Sequence, residues 1–328
     1  MVKISSIEIG DFPLILAPME EISDPPFRMI CKNFGADMVY SEFISSEAII
    51  RKIPKSLRKA VIFTEERPIA IQIYGYNEKS MKEAAEHVEQ LNPDFIDLNF
   101  GCPVKKVITK GAGAGALKDI PNLVKMAESV VRSTKIPVTV KTRLGWDNDS
   151  ICIPELAEML QDVGIQALAI HARTAKQKYQ GKADWSWIGK TLENPRLKIP
   201  VFGNGDVINA EIALEMKNKY PVSGIMVGRA AVGNPWLFSQ IKHYFEKNEL
   251  LPFPSINERI DVCYGHLLKS AQWKNEQYAV REHRKYYKNY FKGLADFRIF
   301  KMKLMEVYGI EEVKSIFDEI KAFYSLIH

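Results

Sequence analysis

Short apolar runs alternate with longer amphipathic stretches along most of the chain. The runs are rich in Val, Ile and Leu and have the length of fully buried parallel strands. They are the segments 13–18, 36–43, 69–75, 95–101, 137–144, 167–174, 200–206 and 224–230. Helical spacing fills the gaps, most clearly in 77–91, 120–133, 152–164 and 209–219. Asn77 and Asn209 stand where a helix N-cap is expected and Gly164 where a C-cap is. The pattern predicts eight strands that alternate with helices.

The ends of these strands decide between two arrangements of such units. An open, doubly wound sheet concentrates polar residues at the point where its strand order reverses. A (β/α)₈ barrel instead brings all eight strand ends to one mouth, where active sites of this fold lie. Nearly every predicted strand ends in polar residues or glycine, among them Glu42, Gln72, Lys141 and His171. The predicted fold class is therefore α/β, a TIM barrel.

The pattern changes after residue 245. Residues 246–258 are polar with two prolines and have the composition of a linker. From 256 onward only helical periodicity remains, and no proline occurs. We predict a barrel domain over 1–245 and a small all-α domain of three or four helices within 246–328.

Composition narrows the class of protein further. The chain has 328 residues, of which 46% are hydrophobic and 26% charged, as in a globular protein. No apolar run reaches the roughly 18 residues of a membrane span, and the first residues lack the apolar stretch of a signal peptide. The four cysteines form no CxxC pair, which argues against structural zinc and disulfides. We expect a cytoplasmic monomer that needs neither a metal nor a membrane.

Lys141 and His171 suggest a redox cofactor at the barrel mouth. Lys141 lies within an apolar strand, where a lysine needs a partner or a route to solvent. It could be a salt-bridged or snorkelling lysine, but a fixed cation also stabilises the negative charge that flavin gains at N1 and O2 on reduction. His171 ends the next strand and could serve the same ring. We favour the functional role for both.

Glycine-rich ends of the last two strands suggest a phosphate site. GNGD (203–206) and MVGRA (226–230) allow backbone N–H groups to approach a ligand, and Arg229 adds a cation. The corresponding loops of TIM barrels frequently hold phosphate, here the phosphate of FMN. GAGAGA (111–116) does not have the spacing of a dinucleotide-binding fingerprint, and we predict a flexible loop over the mouth.

Cys102 lies at the tip of a predicted strand, followed closely by Lys105 and Lys106. A free cysteine is usually a small buried hydrophobe, but the strand tip argues against burial. A thiol that is protonated at neutral pH can act as a general acid. The two lysines either lower its pKa or face phosphates.

The helical tail carries a dense positive charge. The whole chain has a net charge of +5, yet residues 281–303 alone hold eight Lys or Arg and two acids. Arg281, Lys285, Lys288 and Lys292 recur at helical spacing and are predicted to share one helix face. Such a run is normally a solvated helix face, but the near absence of interleaved acids favours phosphate binding and hence RNA.

A series of motifs resembles the tRNA-dihydrouridine synthase family, and most closely its bacterial B-type branch. They are LAPMEEISDPPFR, IQIYG, DLNFGCPVKKV, VKTRLGW, HARTAKQKYQG, NGD, GRAAVGNPW and REHRKYYKNYFKGL, in this order along the whole chain. The resemblance implies an FMN barrel that reduces the C5=C6 bond of a uridine in tRNA with NADPH. The chain departs from the family locally at Glu20, Glu21 and Thr142.

The resemblance also implies roles for individual residues. Cys102 would donate a proton to C5 of a uracil extruded from the tRNA, while Asn99 and Arg143 would face the substrate. Lys105 and Lys106 would hold the adjacent backbone, and the four cations of the tail would bind tRNA. The flavin residues would be Ala17, Pro18, Met19, Gln72, Lys141, His171, Asn204, Gly205, Asp206, Gly228 and Arg229.

Two other functions stay open at this point. Another FMN barrel could act on a free pyrimidine, as a dihydroorotate dehydrogenase does, but the basic tail would then have no purpose. A non-catalytic RNA-binding protein could keep a barrel scaffold, although Cys102 and Lys141 argue against it. The sequence does not indicate which tRNA uridine is reduced.

Overall fold

The computed structural model describes residues 1–326 and contains a closed eight-stranded parallel barrel, as predicted. The chain begins with a short hairpin of β1 (Val2–Ile4) and β2 (Ile7–Gly10). The eight barrel strands are β3 (Leu14–Leu16), β4 (Val39–Tyr40), β6 (Ile69–Tyr74), β7 (Phe95–Phe100), β8 (Val138–Arg143), β9 (Ala167–His171), β10 (Val201–Asn204) and β11 (Gly224–Val227). They pair in the order β3-β11-β10-β9-β8-β7-β6-β4. The N–H of Leu16 donates to the carbonyl of Met38 at 2.9 Å and closes the ring. A short strand β5 (Ile44–Ser45) extends the sheet beside β6.

The hairpin β1–β2 closes the end of the barrel opposite the mouth. The sequence analysis did not predict it, because its strands are only three and four residues long and mix charged with apolar positions. Its buried Ile4 and Ile9 pack with the barrel-lining side chains of Phe95, Phe202 and Met226. This apolar plug fills the lower half of the barrel and leaves its polar end as the place for a ligand.

Helices surround the barrel, and their ends follow the sequence signals. They are α1 (Pro25–Asn33), α2 (Ser46–Ile50), α3 (Pro54–Leu57), α4 (Glu78–Glu89), α5 (Lys105–Ile108), α6 (Ile120–Val131), α7 (Ile153–Asp162), α8 (Ser186–Leu192), α9 (Ala210–Lys219) and α10 (Leu237–Lys247). The side chains of Asn77 and Asn209 accept hydrogen bonds from Ser80 and Ile212, so both predicted N-caps are confirmed. Gly164 follows α7 with φ of +101°, as a C-terminal glycine should.

Four helices form the C-terminal region. They are α11 (Ile256–Trp273), α12 (Glu276–Tyr290), α13 (Phe297–Glu306) and α14 (Ile310–Ser325). The predicted boundary at 245 falls inside α10, which continues to Lys247, so the linker is shorter than predicted. Phe27 of α1 contacts His266 and Tyr286 with ring centroids 5.6 and 5.8 Å apart. The helical region therefore shares a buried core with the barrel.

The glycine-rich segment 111–116 is not a loop over the mouth. Residues Gly113–Lys118 form a 3₁₀ helix, and residues 112–117 are buried. The N–H of Ala114 donates to the carbonyl of Cys102 at 3.0 Å. A Cβ at Gly113, where φ is +54°, would lie 2.8 Å from Val107 and 2.9 Å from the same carbonyl. The small residues allow this segment to pack beneath residues 101–104, which we call the Cys102 loop, and to support it.

Candidate active site

A cavity of about 650 Å³ opens at the carboxyl ends of the barrel strands. Its walls come from the loops after most of the strands, which explains why residues far apart in sequence meet there. The cavity is lined by most of the residues that the sequence singled out, namely Ala17, Pro18, Met19, Asn99, Cys102, Lys141, Arg143, His171, Asn204, Gly205, Asp206, Gly228 and Arg229. Gln72, Lys105 and Lys106 do not line it.

Cys102 faces this cavity but is more buried than its position at a strand tip suggested. Only 7% of the residue is exposed, so the expectation of an unburied thiol is wrong. Burial raises the pKa of the Cys102 thiol, and the Val104 N–H and the Arg143 charge only partly oppose it. Lys105 and Lys106 are exposed and are not among the groups that shift this pKa. The group is therefore a neutral thiol at neutral pH, which is the protonation state that a proton donor requires.

A chain of side-chain amides holds the Cys102 loop in place. The Asn99 carboxamide oxygen accepts from the N–H groups of Gly101 and Cys102 at 3.0 and 2.9 Å. Its nitrogen donates to Gln72 Oε1 at 2.8 Å, and Gln72 Nε2 donates to Asp97 Oδ2 at 2.7 Å. An ionised carboxylate only accepts, so Asp97 fixes the orientation of both amides. Gln72 and Asn99, predicted as ligand contacts, thus also position the backbone around the thiol.

Asp97 is the first of three site residues that the sequence analysis did not assign. It is fully buried in β7, and Thr139 Oγ1 donates to its second oxygen at 2.6 Å. Burial raises its pKa to about 6, against the opposing hydrogen bonds from Gln72 and Thr139 and the charge of Lys141. Lys141 was identified because it is a charged residue inside an apolar strand. Asp97 has the same position in its own strand and could have been identified in the same way.

Lys141 places a cation at the floor of the cavity. Its Nζ lies 3.3 Å from Asn204 Oδ1, and the Asn204 nitrogen donates to the Met226 carbonyl at 2.7 Å. Burial lowers the pKa of Lys141 to about 8, with a further contribution from the nearby Arg143. The amine remains mostly protonated at neutral pH, and an anionic group beside it would be stabilised by its charge.

His171 and Asp206 are held by one arginine. Arg173 Nη2 donates to Asp206 Oδ1 and Oδ2 at 2.8 and 2.7 Å, and Arg173 Nη1 lies 3.3 Å from His171 Nε2. Burial and the surrounding cations keep the pKa of His171 well below its usual value, so the imidazole is neutral. Because the guanidinium can only donate, Nε2 accepts and Nδ1 carries the proton. Arg173 lies in the HART motif but was not singled out from the sequence.

Glycine is required in the loop after β10. Gly205 has φ of +128°, and a Cβ there would lie 2.8 Å from the Cβ of Ala183. Its carbonyl accepts from Trp185 Nε1 at 2.9 Å, which fixes the loop against α8. The backbone can therefore approach a ligand closely, as the GNGD motif suggested.

Tyr179 connects two arginines at the rim of the cavity and was also missed. The guanidinium carbons of Arg229 and Arg143 lie 4.5 and 5.6 Å from its ring centroid. Arg143 is buried and donates to the Gly101 carbonyl at 2.7 Å, so it too supports the loop that carries the thiol. Arg229 is more exposed and is the rim cation best able to reach an anionic ligand.

The predicted cationic stripe on the tail is only partly formed. Helix α12 ends at Tyr290, so Lys292 lies beyond it and the prediction of one shared helix face is wrong for this residue. Arg281 and Lys288 are exposed. Lys285 points at the barrel instead, where its amine donates to the Glu21 carbonyl. Lys285 therefore links the helical region to the barrel mouth.

Within residues 1–326 no helix is long and apolar enough to cross a membrane. Among the same residues, no cluster of three His, Cys, Asp or Glu side chains could bind a metal ion.

A closed parallel barrel with a cationic cavity and a protonated thiol at its carboxyl end defines an enzyme of the TIM-barrel class. Structural comparison gives the same fold. Histamine dehydrogenase from Rhizobium sp. 4-9 aligns with a TM-score of 0.55 at 13% identity over 80% of this chain and 50% of that chain. Morphinone reductase in complex with tetrahydroNAD aligns with a TM-score of 0.51 at 12% identity, over 74% and 88%.

The sequence comparisons are more specific. The dihydrouridine synthase family model matches residues 15–326. A probable tRNA-dihydrouridine synthase of Rickettsia bellii is 40% identical over 91% of this chain and 92% of its own length. The tRNA-dihydrouridine synthase B of Pseudomonas aeruginosa is 36% identical over 90% of both chains. The chain belongs to the dihydrouridine synthase family.

Proposed function

We propose that this protein reduces uridines of tRNA to dihydrouridine, with FMN as its cofactor and NADPH as the reductant. The observation that carries the proposal is the neutral thiol of Cys102 in the same cavity as Lys141 and the glycine-rich ends of β10 and β11. Relatives that cover nine-tenths of the chain carry the name of this activity.

The residues present suit FMN. The cavity volume of about 650 Å³ lies within the roughly 300–1,000 Å³ of cofactor pockets. Lys141 would lie at the N1 and O2 edge of the ring, and Arg229 with the backbone of Gly205 and Gly228 would hold the phosphate. Ala17, Pro18 and Met19 form an apolar wall for the ring system. Asp206 is already paired with Arg173, so its proposed role is to fix this loop.

Bound FMN would supply the hydride that reduces C6 of the uracil. The chain itself must supply the proton for C5, and Cys102 is placed to give it. The thiolate that remains is stabilised by the charges of Arg143 and Lys141, both of which lower the thiol pKa. Protonation from solvent then restores the thiol for the next cycle. Asn99 and Arg143 keep the thiol in position through the backbone of residues 101–102.

The substrate must bring its base to the cavity, which requires extrusion from the folded tRNA. Lys105 and Lys106, exposed on α5 directly after the Cys102 loop, are proposed to hold the adjacent phosphates. Arg281, Lys288 and Lys292 are proposed to contact the tRNA further away. The barrel region to residue 245 would thus carry the chemistry and the helical region 246–328 the tRNA, in a cytoplasmic monomer.

Two measurements test the proposal. Protein purified from its own cells should release FMN on denaturation, identified by absorbance and mass. Nucleoside mapping of tRNA should find at least one dihydrouridine that is absent when the gene is deleted and returns with the wild-type gene. An unchanged dihydrouridine map in the deletion strain would refute the proposed activity, whatever flavin the protein holds.

A further inference from the structure

A surface segment outside the proposed catalytic machinery carries dense positive charge. Residues 51–68 connect α2 to β6, and the first fourteen of them contain five Lys or Arg and no acid. We call residues 51–59 within it the basic loop. Lys52, Lys55 and Arg58 are exposed, and within residues 1–326 none of them pairs with a carboxylate. Unpaired cations so close together favour a polyanionic partner.

An aromatic groove adjoins the basic loop. The Arg58 guanidinium lies 4.8 Å from the ring centroid of Trp273, at the end of α11. Phe63 meets the same indole edge-on at 6.0 Å. The groove beside these rings has a volume of about 420 Å³, ample for one planar base. It is completed by Pro25, Pro26, Met29, Asn33, Glu65, Lys269 and Gln272. We call it the Trp273 groove.

Both features are anchored to the mouth of the active-site cavity. Lys59, next to Arg58, pairs with Glu20, which lines that cavity. Lys274, next to Trp273, lies 2.9 Å from Asp24 in the loop that follows β3. The basic loop and the groove therefore flank the mouth and are held against it. The basic loop belongs to the barrel, and the groove is lined by residues of both the barrel and the helical region.

We propose that the basic loop and the Trp273 groove form a second tRNA-binding site, and this inference rests on the proposed function. Lys52, Lys55 and Arg58 bind phosphates of the tRNA backbone. An unpaired base of the same RNA enters the groove and stacks on the Trp273 indole, while the edge-on Phe63 ring forms a wall of the groove. Stacking of this kind is tolerant of sequence, because every base has an aromatic face.

RNA is the partner that offers groups for both features. Its phosphates would pair with the three unpaired cations, and one of its flat, uncharged bases would fill the aromatic groove. A uridine drawn into the active-site cavity must leave its stack, which also unstacks its neighbours. A site beside the mouth that holds a neighbouring unpaired base would stabilise this distorted tRNA.

Charge removal tests the phosphate contacts. In the flavin-loaded protein, Lys52→Gln with Lys55→Gln should weaken binding of an unmodified tRNA transcript and flatten the slope of log affinity against log salt by about 1 to 2. Lys135→Gln with Lys198→Gln is the matched control, because both lysines are exposed and shortly precede β8 and β10 at the closed end of the barrel. The control should retain the wild-type slope.

Substitution of the indole tests the stacked base. Trp273→Leu should weaken tRNA binding by roughly 5- to 150-fold, the range for loss of one stacked base, without changing the salt slope. Trp273→Phe keeps an aromatic face and should recover most of the affinity. Flavin content and far-UV circular dichroism must match the wild type in both variants, which separates lost stacking from lost folding.

The outcomes distinguish this inference from the proposed activity. Wild-type affinity in both the lysine and the Leu variants, while the wild-type enzyme forms dihydrouridine, would overturn the second site and leave the activity intact. The groove would then be a candidate surface for a protein partner. A reduced salt slope with no effect of Trp273→Leu would overturn the stacked base. A wild-type protein that binds tRNA as proposed here but forms no dihydrouridine in cells would refute the activity alone.

Discussion

Replacing Asn99 by Asp tests the amide chain with the change of a single atom. The new oxygen would face Gln72 Oε1, which now accepts from the Asn99 nitrogen at 2.8 Å. If Gln72 turned its amide to donate to the new carboxylate, its oxygen would face the Asp97 carboxylate. No orientation of Gln72 satisfies both carboxylates, so the folded variant must keep one proton shared between them.

The size of the effect follows from the pKa of Asp97. That pKa is raised to about 6 in the wild type, so below pH 6 the wild type and the variant both hold a proton at this site. Above pH 6 the wild type releases its proton and the variant retains it. A carboxyl whose folded pKa is raised destabilises the fold as pH rises, by about 1.4 kcal/mol per pH unit. The stability difference should therefore grow by about 3 kcal/mol from pH 6 to pH 8.

Urea denaturation of flavin-loaded protein at fixed pH values between 5.5 and 8 measures this difference. Asn218→Asp provides the control, because Asn218 is exposed near the end of α9 and its new carboxylate is solvated. Its stability difference from the wild type should be small and constant. If the stability difference between Asn99→Asp and the wild type stayed constant above pH 6, the proposed donor and acceptor roles in the amide chain of Asn99, Gln72 and Asp97 would be refuted.

Three further predictions concern the cavity and the tail. Cys102→Ala should leave reduction of the flavin by NADPH intact and slow its reoxidation by tRNA by about 10²–10⁴-fold in stopped flow; near-normal reoxidation would exclude Cys102 as the acid. Lys141→Gln should weaken FMN binding, measured by equilibrium dialysis. Wild-type FMN binding should weaken as pH rises through about 8, where Lys141 loses its proton, and the variant should lack this pH dependence. Equal affinities in the two proteins would contradict the proposed cation. Arg281→Gln with Lys288→Gln should flatten the slope of log tRNA affinity against log salt by about 1 to 2, with flavin content unchanged. Lys285 is left in place because its contact with Glu21 supports the domain interface. An unchanged slope would show that these charges only form a solvated helix face.

The barrel was predictable from the sequence because buried parallel strands are nearly continuous apolar runs. All eight predicted strands contain an observed strand, and Asn77 and Asn209 cap helices as expected. The hairpin β1–β2 escaped prediction because strands of three and four residues carry too little pattern. The same limit applies to β5.

The site was predictable in its residue types but not in its connections. Strand ends identify which side chains reach the mouth, and this placed Cys102, Lys141 and His171 together. The amide chain depends on register, since Gln72 pairs with Asp97 across β6 and β7, and register cannot be obtained from one sequence. The burial of Cys102 and the contact of Lys285 with the barrel depend on how 111–116 and α12 pack, and both are tertiary effects.

The plug formed by Ile4 and Ile9 has a kinetic consequence for the proposed reaction. Because the opposite end of the barrel is filled, a cofactor at the mouth can be approached from one side only. NADPH and the uridine must then use the same opening in turn, and the first product must leave before the second substrate enters. Initial-rate data should give parallel lines in double-reciprocal plots, and excess tRNA should inhibit competitively against NADPH.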